Sequence, residues 1–188
     1  MSLIKEYEDI CNKFIPSDII NLDDKKKISG NITSCFFKNL IEEFLVGTDY
    51  KLSVVNSYIK GCSIEWDLLI LKSPSMDEIK YNIYDAQNVV AALEFKTSGA
   101  KYKNDPDGSC EYIFKYENVI GDINKKFNTN IKYGYISLCE IPNNLTAMKE
   151  KFNNCFWIYE GWYPHNNFEK DGIKTIEEFK DFIFKLII

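Results

Sequence analysis

The stretch Gly61-Cys-Ser-Ile-Glu-Trp-Asp-Leu-Leu-Ile-Leu71 is answered further along by Val89-Val-Ala-Ala-Leu-Glu-Phe-Lys96, and together these two runs decide the fold. Both are short, apolar and rich in β-branched, leucine or aromatic residues, so each reads as a strand buried on both faces. Each nevertheless carries charge at one end. Successive residues of a strand point to opposite faces, which puts Glu65 and Asp67 on one side of the first run and Glu94 and Lys96 on one side of the second. If the runs pair antiparallel, with Lys72 opposite Val89, Asp67 comes to lie beside Glu94. One buried carboxylate is costly and two side by side are more so, unless a cation sits between them. Mg²⁺ suits such a pair because it takes hard oxygen ligands, keeps several waters and binds through one or two protein carboxylates plus substrate phosphate oxygens. Mn²⁺ accepts the same ligand type and is the expected substitute.

At these residues the chain resembles the PD-(D/E)xK nuclease superfamily, the restriction-endonuclease-like proteins. In that family an Asp near the start of one strand and a Glu-x-Lys at the end of the next form the metal site. On this resemblance Asp67 is the family's Asp, Glu94 its acidic ligand and Lys96 its lysine, with Glu65 as an additional ligand. The resemblance covers about residues 28–139, which are expected to form an αβββαβ core with a central mixed sheet flanked by helices. Two features depart from the pattern: Trp66 stands where the motif often has Pro, and residues 73–88 must form an insertion in the hairpin. Asp85 rivals Asp67 on spacing, but it sits among the turn formers of Tyr84-Asp-Ala-Gln-Asn88, far down the strand from Glu94. Some superfamily members draw a further site acid from the helix before the strands, and Glu43 is the candidate here.

The resemblance implies Mg²⁺-dependent hydrolysis of phosphodiester bonds in DNA by a restriction-type endonuclease. Asp67 and Glu94 would hold the metal, and Lys96 would orient the attacking water. Double-stranded DNA as partner and a homodimer with one site per strand follow from the same resemblance. The competing expectation is a non-catalytic module that keeps the nuclease fold and binds nucleic acid or a protein. Glu-x-Lys on a strand is often no more than a surface ion pair. A matching Asp on the preceding strand is what favours the enzyme.

The chain has 188 residues, 45% hydrophobic and 15% aromatic, which suits one well-cored domain over residues 1–188, with a C-terminal strand and helix added to the core. No apolar run is long enough to span a bilayer and the start, Met1-Ser-Leu-Ile-Lys-Glu6, lacks a signal-peptide layout, so a cytoplasmic protein is expected. The six cysteines occur singly with no Cys-x-x-Cys pair, which argues against a zinc site and for reduced thiols. The sole histidine, His165, lies in a turn-like stretch and excludes a histidine-rich metal site. A net charge of −5 opposes DNA binding unless basic residues cluster locally.

Taken in order, helical periodicity spans residues 3–14 and Pro16 ends it. The polar segment Ser17–Lys27, with its basic run Lys25-Lys-Lys27, reads as a solvated loop. Apolar positions from Ile32 to Leu45 give a helix over Ile28–Val46 that Gly47 stops. Tyr50–Ile59 reads as the first strand, and Lys60-Gly61 turns it into the second. After the third strand, Asp105-Pro-Asp-Gly108 forms a turn, residues 109–127 a helix, and Ile131–Cys139 a fourth strand parallel to the third by a crossover. Leu145–Phe152 is expected as a short helix and Cys155–Tyr159 as a fifth strand. A last helix is capped by Thr175 with Glu178. The aromatic residues Trp157, Tyr159, Trp162 and Tyr163 are read as core or interface rather than as a base-stacking platform.

Overall fold

Ten consecutive residues, Val89–Ser98, form the strand about which the other elements are laid out. The computed structural model describes residues 3–14, 22–73, 81–98, 111–140, 154–160 and 174–188. Along the chain these give α1 (Leu3–Phe14), α2 (Leu22–Phe44), β1 (Tyr50–Leu52), β2 (Ser57–Ile59), β3 (Glu65–Trp66), β4 (Leu68–Lys72) and β5 (Ile83–Tyr84). A 3₁₀ turn at Ala86–Asn88 leads into β6 (Val89–Ser98), followed by α3 (Glu111–Phe127), β7 (Lys132–Glu140), β8 (Cys155–Glu160) and α4 (Ile176–Ile187).

The central sheet has five strands in the order β1-β4-β6-β7-β8. β4 runs antiparallel to β6, while β7 and β8 run parallel to it and to each other. The crossover through α3 makes β6 and β7 parallel neighbours, as expected. Alternation along the strands divides the core in two. Leu68, Ile70, Leu93, Phe95 and Ile136 face α1, α2 and α4; Leu69, Leu71, Ala92, Tyr133 and Tyr135 face α3 and a small second sheet. A Cβ on Gly134 would stand 2.7 Å from Leu93 Cδ2 and 2.8 Å from Leu186 Cδ1, so glycine is what lets α4 close on this part of the sheet.

Three expected boundaries are corrected. Tyr50–Ile59 is not one strand: Asn56 adopts φ 59, in the left-handed region, and the chain breaks into β1 and β2, which lie in different sheets. Gly61–Leu71 is likewise two strands, with β3 in the small sheet (order β3-β2-β5) and β4 in the central one. The polar residues 22–27 are helix and not loop, since α2 begins at Leu22. Lysine is a good helix former, so a polar run of this kind is compatible with a helix.

Thr175 accepts from the Glu178 backbone N–H at 3.2 Å, and Glu178 accepts from the Thr175 backbone N–H at 2.8 Å, completing the capping box of α4. In the core Trp157 is buried, and Tyr7 of α1 is hydrogen-bonded to Thr33 of α2 at 2.9 Å. Residues 105–108 and 145–152, together with Trp162, Tyr163 and His165, lie outside the described residues, as does the side chain of Tyr159. Among the described residues no helix is long and apolar enough to cross a membrane.

Candidate active site

Asp67 stands at the point where the chain passes from one sheet to the other. The residue before it, Trp66, pairs with Ser57 of β2, and the residue after it, Leu68, pairs with Leu93 of β6. Extending the second ladder by one position sets Asp67 opposite Glu94. The backbone of both sheets fixes the corner: Asn56 N–H donates to the Asp67 carbonyl at 3.2 Å, and Phe95 N–H donates to Asp67 Oδ2 at 2.6 Å. The side-chain carboxylate thus takes the donor of the residue next to Glu94.

Glu94 is 5% exposed and accepts from Lys96 Nζ, two residues along on the same face of β6. The two carboxylates repel each other. The consequence shows in Asp67, whose pKa is pushed up from 3.8 to about 6, first by burial and then by the negative charge of Glu94. The Phe95 N–H and the Lys96 charge pull the other way without cancelling the rise, and the charge of Glu65 adds to it. Glu65 itself is exposed on β3 and accepts from the Tyr58 hydroxyl at 2.5 Å. Tyr58 escaped the sequence reading because its pairing with Glu65 depends on the break at Asn56 that makes β2 a strand of its own.

The structure does not bring Glu43 to this group. Thr33 meets Thr97 at 2.8 Å and Phe37 stacks on Phe95, so α2 runs antiparallel to β6. Glu43 is exposed and lies six residues, roughly 9 Å, further along the helix toward the start of that strand. Asp85 is also exposed, just before β6 begins, and forms an ion pair with Lys60 at 3.9 Å.

Among the described residues no group of three or more His, Cys, Asp or Glu side chains is arranged to hold a metal ion. The donor set is smaller: two facing carboxylates with Glu65 nearby. Two hard oxygen donors of like charge fit a Mg²⁺ that keeps waters and takes its remaining ligands from a phosphate. They do not fit a fully protein-ligated cage.

No family model matches the chain, and no curated protein sequence matches it significantly. Solved structures do resemble it. The crystal structure of the Type IIF restriction endonuclease Bse634I with cognate DNA matches at a TM-score of 0.54 and 10% identity, over 99% of this chain and 85% of that one. The cAAA-bound form of NucC from P. aeruginosa ATCC27853 matches at 0.54 and 12% identity, over 98% of this chain and 87% of that one. With sequences this far apart, what is shared is the path of the backbone. A mixed sheet in which an antiparallel hairpin continues through a helical crossover into parallel strands, between helical layers, is the restriction-endonuclease-like fold that this chain shares with those structures.

Proposed function

We propose that the protein is a Mg²⁺-dependent endonuclease that hydrolyses phosphodiester bonds in double-stranded DNA, of the restriction type, acting in the cytoplasm as a homodimer with one site per strand. The observation that carries this reading is the placement of Asp67 opposite Glu94 with Lys96 on the same face. Asp67 and Glu94 would hold the metal, and Glu65, turned toward Tyr58, is within electrostatic range as an additional ligand. When bound, the cation neutralises the scissile phosphate and acidifies a coordinated water. Lys96 Nζ holds and orients the attacking water by donating to it, and its charge stabilises the oxyanion that develops on phosphorus. Phe95 N–H orients Asp67 throughout. Glu43 is the remaining acid of α2 toward which the family resemblance points, and its exposed position suits contact with DNA or with a second copy better than a place among the ligands.

The test is nicking of supercoiled plasmid by wild type and by Asp67→Asn, with Mg²⁺, with Mn²⁺ and with chelator. Cleavage that needs the metal and disappears in the variant is expected. Metal-independent cleavage, or an Asp67→Asn protein as active as wild type, would sink the proposal.

A further inference from the structure

A second polar group lies on the same face of the sheet as Glu94 and Lys96. Ser137 is 0% exposed, and its Oγ has no hydrogen-bond partner among the described residues. A fully buried hydroxyl whose bonding capacity is unused costs free energy, so on packing grounds an alanine would serve there better. Ser137 pairs with Lys96 in the parallel ladder of β6 and β7. Partners in a ladder leave the sheet on the same face, one strand spacing of about 4.8 Å apart. The buried hydroxyl therefore lies beside the lysine that bonds Glu94.

Glu94 faces two demands. Its carboxylate accepts from the Lys96 ammonium, and it is also one of the two acids whose charge calls for a cation. A lysine carries three donors, and the one given to Glu94 can pass to another acceptor whenever that carboxylate is engaged elsewhere. Ser137 Oγ is an acceptor on the same face of the adjoining strand, at the ladder position opposite Lys96. We propose that Ser137 is a positioning residue for Lys96: its hydroxyl accepts from the Lys96 ammonium and keeps the amine in the site when Glu94 no longer does. The inference rests on the reading of Asp67, Glu94 and Lys96 as the catalytic set.

The test begins without metal, as a double-mutant cycle on thermal stability in chelator. Ser137→Ala alone should leave the melting temperature unchanged or raise it. In a Glu94→Ala background, where Lys96 has lost the Glu94 carboxylate, the same substitution should lower the melting temperature by about 2–4 °C. If Glu94→Ala does not fold, Glu94→Gln replaces it. A hydroxyl that matters only for packing gives additive effects, and additivity would overturn the proposal. In Mg²⁺, Ser137→Ala should lose about tenfold in kcat with KM unchanged, and Ser137→Thr should recover most of it. Wild-type kcat in Ser137→Ala would also overturn it. Wild-type cleavage by Lys96→Ala would overturn the catalytic reading instead, and the metal-free cycle would still decide whether Ser137 and Lys96 are linked.

Discussion

The Phe95 backbone N–H donates to Asp67 Oδ2 at 2.6 Å, so the acid at the sheet junction is tied to the strand that carries the other acid and the lysine. This tie lowers the proton affinity of Asp67, yet burial and Glu94 outweigh it and the carboxyl titrates near pH 6 instead of near 4. The folded state then binds more protons than the unfolded chain between these values, and stability falls as pH rises through the interval. A shift of this size corresponds to roughly 2–3 kcal/mol, present below pH 4 and lost above about 6. Asp67→Asn should remove that slope. Chemical denaturation of the metal-free protein at pH 4.5 and pH 7.5 measures it, and an equal slope in wild type and variant would count against the burial of Asp67 beside Glu94.

Divalent metal should act on the same term with opposite sign. By neutralising the pair, Mg²⁺ should raise the melting temperature more at pH 7.5, where Asp67 is ionised, than at pH 5, where much of it is protonated. Thermal melts with and without metal at the two pH values test this, and Asp67→Asn should lose most of the effect at both.

Lys96→Ala separates binding from chemistry. Both carboxylates remain, so calorimetric titration should still detect Mg²⁺ or Mn²⁺, while cleavage should fall about 10²-fold or more. The metal-free variant should also be less stable than wild type, because Glu94, 5% exposed, loses the cation it bonds. Retained cleavage with lost metal affinity would reverse the roles assigned to these residues.

Asp85→Asn is the matched control. Asp85 and Lys60 are exposed and 3.9 Å apart, so breaking their ion pair should change stability by less than ~1 kcal/mol and leave cleavage at the wild-type rate. An inactive Asp85→Asn beside an active Asp67→Asn would transfer the metal ligand from one to the other.

Gly134→Ala probes the packing of α4. The added methyl meets Leu93 and Leu186, both buried, and should destabilise by ~1–3 kcal/mol through overpacking. Trimming the obstacle with Leu186→Ala in the same chain should cost less than the sum of the two single changes. Strict additivity in denaturant melts would show that α4 does not lie against Gly134.

Period-two alternation sets Asp67 and Glu94 on one face, because it depends only on residues within two short apolar runs, but the count that pairs Lys72 with Val89 misses the bulge: Leu71 pairs with Val89, and the counted register holds only from Ile70–Ala91 to Leu68–Leu93. The same pattern could not show the break between β3 and β4. Trp66 and Leu68 are both fully buried, and a strand that changes sheets looks in sequence like one that continues. Asn56 hid the other break, since a left-handed residue other than glycine leaves no reliable mark. Residues 22–27 were misread because a polar composition reports solvent, not the absence of a helix. Ser137 has no local signature at all: what sets it apart is Lys96 on the next strand, and only the crossover through α3 brings the two together.

The ladder between β4 and β6 is not uniform. Ile70 pairs with Ala91 but Leu71 pairs with Val89, so Val90 is an extra residue, a bulge between the start of β6 and the end that carries Glu94. A shift of one residue on the Glu94 side of the bulge would turn Glu94 and Lys96 to the opposite face, among the side chains packed on α2. On the other side, the loss of one residue can be absorbed by straightening the bulge. Deleting Val90 would restore an even ladder from Leu71–Val89 to Leu68–Leu93 and leave Asp67 and Glu94 face to face. The hairpin can therefore change in length at the end where the 3₁₀ turn at Ala86–Asn88 leads into β6, without moving the acids out of register.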